Sequence, residues 1–250
     1  MNNAPVRTVS DAKRDFYSHH TRPINSIYRR VVDELMVEMH LLSVNADFIY
    51  DPIYALGIVT TFDRFMVGYE PERDKDSIFN GLCRSINSTP EHYRGEAEAV
   101  KASVNGMSLD DLKGQFENLG DGGDGLRGTL AAIAHREKFK YSRPFGIGLY
   151  TLVEAVAPAE ALKEKADVET LFKDLAGKLN ISPDKLQKDV ELYRSNMEKF
   201  AQAQEVMKDM LAADRKKRED RKKAAEAEAE TLVEPVAAAP EAGESGDSAE

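Results

Sequence analysis

Apolar side chains recur at spacings of three and four wherever the chain is free of proline and glycine, and the longest such run begins at Pro183. Leu186, Val190, Tyr193, Met197, Phe200, Gln204, Met207 and Leu211 alternate steps of four and three, the seam of a helix that lies along partner helices. The same count continued gives Asp214, Arg218, Arg221 and Ala225, so the apolar edge stops while Lys, Arg, Glu and Ala keep favouring helix. A seam of about 26 residues needs about 40 Å of partner, whereas a helix from Pro183 to about Glu230 runs to about 70 Å. The pattern therefore predicts a bundle with a long projecting C-terminal helix, coiled-coil-like over part of its length.

Upstream, start and stop signals cut the chain into shorter helices. Thr8 and Asp11 form a capping box before Val9, Ala12 and Phe16. Pro23 suits the first turn of a second helix, over about 24–44. That helix places Ile24, Tyr28, Val31, Leu35, Met39 and Leu42 on one face with Ile27, Val32 and Met36 beside them, a stripe wide enough for the middle of a bundle. Asp51-Pro52 opens a helix to about Val67, and another follows over about 74–87. Thr89-Pro90 and the Ser108/Asp111 box open two more, the second stopping at Gly120. The GDGGDG run at 120–125 reads as a turn before a helix over about 126–139, and Ser142-Arg143-Pro144 starts one that lasts to Pro158. Val168, Leu171, Phe172, Leu175 and Leu179 mark the last helix before Ser182-Pro183. No alternating run is flanked by hairpin turns, so the fold class is all-α: a multi-helix bundle domain over 1–180 and the long helix over 181–230, its first half packed on the bundle. Residues 231–250, rich in Ala, Pro and acidic side chains, offer little to bury and read as a disordered tail.

Charge alters this picture only at the end of the chain. The formal net charge is −10, and residues 224–250 carry eight acidic side chains and no basic one, which leaves about −2 for the rest. Cys83 is the only cysteine, so an intramolecular disulfide is impossible and a reducing compartment fits. The N-terminal stretch shows no signal segment and no transit peptide, and the most apolar window, about 145–162, is interrupted by Glu154, Pro158 and Glu160. No span of the bilayer is expected.

Candidate chemistry is sparse. The five histidines show no metal-ligand spacing, and His19-His20 reads as a polar helix end. GDGGDG lacks the Lys-Ser/Thr of a phosphate loop, and no strand precedes it. Cys83 shares a face with Phe79 and Ile86, the setting of a small core hydrophobe. Neither a GxSxG elbow nor paired ExxH motifs occur, so we expect no catalytic residues, no metal and no cofactor. The sharpest polar feature is the run Arg215, Lys216, Lys217, Arg218, Arg221, Lys222 and Lys223, interleaved with Asp214, Glu219 and Asp220. It reads as a solvated helix face with i,i+4 ion pairs, or as a contact for an acidic protein or anionic lipid. No aromatic residues interleave with the bases, so nucleic acid is not expected.

Four stretches carry a resemblance: YRRVVDELMVEMHLL (28–42), YDPIYALGIVTTFDRFM (50–66), SIFNGLCRSI (77–86) and YSRPFGIGLYTLVE (141–154). With residues 8–69 as a whole, they resemble the thylakoid formation protein family, also described as the twenty-nine-kilodalton photosystem II accessory protein. The resemblance runs in matching order over about 6–215 and leaves out the tail beyond about 224. It implies an all-helical, non-enzymatic protein acting in thylakoid membrane biogenesis and photosystem II assembly and repair. It also implies an FtsH-type AAA membrane protease and photosystem II components as partners, with a peripheral place on the cytoplasmic side of the thylakoid membrane and a soluble cytoplasmic pool. Chloroplast members carry a transit peptide, so the cyanobacterial form is the one implied. An alternative role is a peripheral scaffold that meets the thylakoid lipid surface through its basic helix. The family supplies no catalytic residue to carry over.

Overall fold

Ten helices make up the described part of the chain. The computed structural model describes residues 6–117, 119–158 and 165–231, and among these no strand occurs. In order they are α1 (Val9–His19), α2 (Ser26–Ser43), α3 (Pro52–Phe65), α4 (Asp74–Arg84), α5 (Pro90–Ala102), α6 (Leu109–Gln115), α7 (Gly125–Ala134), α8 (Arg143–Val156), α9 (Lys165–Lys178) and α10 (Pro183–Thr231), with a single 3₁₀ turn at Leu119–Asp121. By contacts the chain divides into two units, Met1–Phe200 and Ala201–Glu250. The expected tail lies, past Thr231, outside the described residues.

Side-chain caps set most of the starts. Thr8, Asp51, Thr89, Ser108 and Ser142 each accept a hydrogen bond from the backbone N–H three residues on, satisfying an amide that has no partner inside the helix. Thr8 and Ser108 complete reciprocal boxes with Asp11 and Asp111. Pro23 is not part of α2: Asn25 is the cap, accepting from Ile27 N at 3.2 Å, and the helix begins at Ser26.

Several helices end earlier than their apolar patterns suggest. α4 stops at Arg84, and Asn87 takes a left-handed φ of 60° that no helix continues. α6 stops at Gln115, so Leu119 is buried from a 3₁₀ turn and Gly120 is not the terminator. α7 stops at Ala134. Beyond α6 and α7, Phe116, Leu119 and Phe139 still reach the core from outside the helix.

The centre of the first unit is α3 against α8, not α2. Pro144 through Val153 of α8 are all buried, as are Ile53 through Ile58 of α3. Two glycines allow the approach. A methyl at Gly57 would overlap the Pro144 carbonyl and stand 2.9 Å from Gly148 N, and one at Gly148 would overlap the Ile53 carbonyl. The two backbones thus touch where any side chain would hold them apart. α2 buries Tyr28, Val32, Met36 and Met39 but leaves Val37 and Leu41 in solvent.

α10 joins the first unit by its opening turns. Leu186, Val190 and Tyr193 are buried, and Phe200 meets Tyr28 and Phe65 edge to face at 5.5 and 5.2 Å. In the second unit none of the described side chains is buried, and Val206 and Met210 are exposed. Leu211, a position of the predicted seam, lies outside the described side chains.

Candidate functional site

Where α2 runs beside the first turns of α10, an open groove separates them, floored by the start of α8. It consists of two adjoining hollows of about 840 and 280 Å³ that share Arg30, Glu34, Glu38 and Arg143. α2 can form one wall because it has two apolar faces. Val37 and Leu41 stand on the side of the helix opposite Tyr28, Val32 and Met39 and are 36% and 54% exposed. Leu192, 43% exposed, answers them from α10.

The polar side chains of the groove fall into two sets. In the first, Arg30 Nε donates to Glu34 Oε1 at 3.0 Å, an i,i+4 pair. Tyr141 Oη donates to Asp189 Oδ2 at 3.0 Å, and Arg143 Nε lies 3.6 Å from the other oxygen of the same carboxylate. Gly146 gives Tyr141 its place, since a methyl there would strike the Tyr141 hydroxyl and come 3.1 Å from Leu186 Cδ1. Burial pushes the Tyr141 phenol up, and the Asp189 charge adds to the shift. Burial likewise raises the Glu38 carboxyl, with Arg143 pulling the other way.

The second set comprises cations that face no carboxylate. Arg29 Nη2 donates to the Ile24 carbonyl at 3.1 Å, and Lys185 Nζ sits 5.1 Å from the centre of the Tyr141 ring. Those two and Lys199 form no ion pair among the described residues. The groove combines apolar area with spare positive charge at its rim, which is the chemistry of recognition.

The seven basic residues singled out in the sequence all lie on α10 in the second unit, and all are exposed. Arg215 Nε reaches Glu219 at 3.1 Å and Arg218 Nη2 lies 3.8 Å from Asp214, the i,i+4 pairs of a solvated face. Lys216, Lys217, Arg221, Lys222 and Lys223 carry no ion pair among the described residues. The run is therefore part paired and part free.

Two other expectations meet the structure differently. Cys83 is fully buried and its thiol is pushed up to about 12 by burial, the state of an inert core residue. His20 is the polar end of α1, its C-cap, but it is buried there. It is 2% exposed, its Nδ1 lies 2.7 Å from Ser77 Oγ, and burial lowers its pKa. Among the described residues no group of three or more His, Cys, Asp and Glu side chains is placed to hold a metal, and no helix is long and apolar enough to cross a membrane.

The sequence reading missed the groove. The available signal was the second apolar line on α2, Val37 and Leu41, which lies outside the stripe read from the sequence and on the opposite side of the helix.

A profile of the thylakoid formation protein family matches residues 8–222. The chain belongs to this family. Relatives called Protein Thf1 are similar along nearly their whole length. The one from Nostoc punctiforme is 59% identical over 225 residues, 89% of this chain and 94% of the relative. The one from Trichormus variabilis is 57% identical over 223 residues, 88% of this chain and 95% of the relative. Among solved structures, Psb29 at 1.55 Å is similar with a TM-score of 0.75 and 39% identity, over 85% of this chain and 98% of that one. The family's fold is thus the all-helical one described above, with its long C-terminal helix.

Proposed function

We propose that this family member is a non-enzymatic accessory protein of thylakoid membrane biogenesis and photosystem II assembly and repair, which binds and stabilises an FtsH-type AAA membrane protease. The observation that carries the reading is the family match over 8–222, joined to a likeness to Psb29 that spans 98% of that chain. The groove supports it, because apolar side chains left in solvent beside unpaired cations are what a binding protein keeps. Its action is by mass action alone: a partner held in its native assembly is stabilised by the free energy of binding. It works as a peripheral protein on the cytoplasmic side of the thylakoid membrane and exchanges with a soluble cytoplasmic pool. The test is affinity capture of the tagged chain from solubilised thylakoids. Recovery of the protease with photosystem II subunits is the expected result, and recovery of neither refutes the reading.

A second reading is favoured by the basic run of α10. Five cations without an ion pair among the described residues stand on one exposed helical stretch just after the exposed Val206 and Met210, an arrangement that suits an anionic bilayer surface. At about 1 kcal/mol per lysine near such a surface, changing Lys216, Lys217, Lys222 and Lys223 together to Glu is enough to abolish flotation with phosphatidylglycerol vesicles. Loss of flotation with protease capture intact assigns the run to lipid; flotation that does not change excludes it.

A further inference from the structure

α10 carries two seams, offset by one residue. Leu186, Val190, Tyr193, Met197 and Phe200 face the core of the first unit. Lys185, Asp189, Leu192, Asn196 and Lys199 follow the same steps of four and three and line the groove, with Lys185, Leu192 and Lys199 at seven-residue intervals. Across the groove, Arg30, Glu34, Val37 and Leu41 of α2 repeat the four-three-four spacing. Two helices of one unit therefore present facing seams that no described residue of that unit fills.

The geometry points to this groove as the seat of one amphipathic α-helix from a partner protein, with its apolar edge on Val37, Leu41 and Leu192 and carboxylates along its flanks facing Arg29, Lys185 and Lys199. The inference rests on the adaptor reading above and supplies the chemistry of what the adaptor holds.

A helix is the form that fits. Both walls are helices whose backbone groups are spent internally, so an extended peptide finds no edge to pair with, whereas knobs from a third helix find holes on both sides. The wall of α2 from Ser26 to Leu42 is about 24 Å long, room for about four turns.

Charge decides the flank. The groove's own carboxylates are largely committed: Glu34 to Arg30, Asp189 to Tyr141 and Arg143, and Glu38 sunk beside Arg143. Asp33 and the half-buried Glu38 are the groove's acids without an ion pair among the described residues, against three such cations. Those cations are spread along the groove and do not converge on a point, which matches a row of side chains better than a single anionic headgroup.

The probe is a labelled 21-residue helical peptide with Leu at the a and d positions, Glu at e and g, and Ala and Gln elsewhere, beside a counterpart with Lys at e and g. Fluorescence anisotropy with the full chain is expected to show the Glu peptide binding at least about tenfold tighter than the Lys peptide, the preference weakening in 0.5 M NaCl. Leu41→Asp, at an exposed position where the fold tolerates it, abolishes binding while the Tm is kept. The pair Lys185→Glu and Lys199→Glu turns the preference toward the Lys peptide. The inference is overturned if neither peptide binds, if both bind alike, or if Leu41→Asp leaves binding untouched. It is also overturned if light scattering finds the chain dimeric and Leu41→Asp makes it monomeric, because a second copy then fills the groove. Peptide binding with no protease captured from thylakoids supports the groove and refutes the partner named above; protease captured with no peptide bound does the reverse.

Discussion

The two halves of α10 are written in one repeat and live in different surroundings. Leu186, Val190 and Tyr193 are 0, 3 and 4% exposed, whereas the same seam past Phe200 is only half-buried at Gln204 and Met207, and Val206 and Met210, one residue off it, are 59% and 68% exposed. Composition separates them only in part, since the seam turns polar at Gln204 and loses its apolar edge after Leu211. What separates them is that the first half meets aromatic rings of α2, α3 and α8, such as Tyr28, Phe65 and Tyr150, which wait at matching heights. A four-three repeat therefore marks a face fit for contact, and the rest of the chain determines whether that contact is made within the molecule.

Substitutions on either side of this divide should separate by several kcal/mol. The largest loss is expected at the interior limit. Gly148→Ala forces α3 and α8 apart against the Ile53 carbonyl and costs more than about 3 kcal/mol, read as a lowered urea midpoint or as failure to fold. Leu186→Ala, on the buried half of α10, costs about 2–5 kcal/mol by the same measurement.

Asp51 gives a smaller effect of opposite sign. Its carboxylate caps α3 at Tyr54 N, 2.8 Å away, yet burial raises its pKa to about 6. The folded state then disfavours the charged form, so a penalty is present above about pH 6 and is relieved as pH falls from there toward the ordinary value near 4. Asn caps equally well without the charge. Asp51→Asn is expected to be about 2 kcal/mol more stable than the wild type at pH 7.5, with the gap closing by pH 4.5 in denaturant titrations. A gap that widens on acidification is the contrary result.

The smallest effect belongs to the exposed half of α10. Met210→Asp should move the urea midpoint by no more than about 0.5 kcal/mol, because there is no packing to lose. A loss near that of Leu186→Ala would show that the distal half is covered in solution.

Helix starts were legible in the sequence because a cap is a local device: Thr8, Asp51, Thr89, Ser108 and Ser142 act on an amide three residues away. Helix ends were less legible. Asn87 ends α4 by a local device, the Ser88 N–H donating back to the Cys83 carbonyl at 2.9 Å, which the apolar run on to Ile86 concealed, whereas Leu119 is buried from its 3₁₀ turn against residues that no short window contains. The role of Gly57 and Gly148 was hidden for the same reason, since each is explained by a carbonyl about ninety residues away. His20 is the polar helix end that the sequence suggests, but its burial against Ser77 of α4 was not legible there. Of the candidate surfaces, the basic run was plain in the sequence because it is contiguous, while the groove was not, because half its wall is on α2 and half on α10.

That split has a further consequence. Residues 26–42 and 185–199 stand side by side only once the first unit is complete, so neither segment alone offers half a docking site worth holding. Whatever settles in the groove is responding to completion: a nascent chain that has not yet emitted its last long helix, or one clipped ahead of it, is silent to such a partner. The surface thus doubles as a certificate that the first unit is whole, issued only when its two ends have found each other.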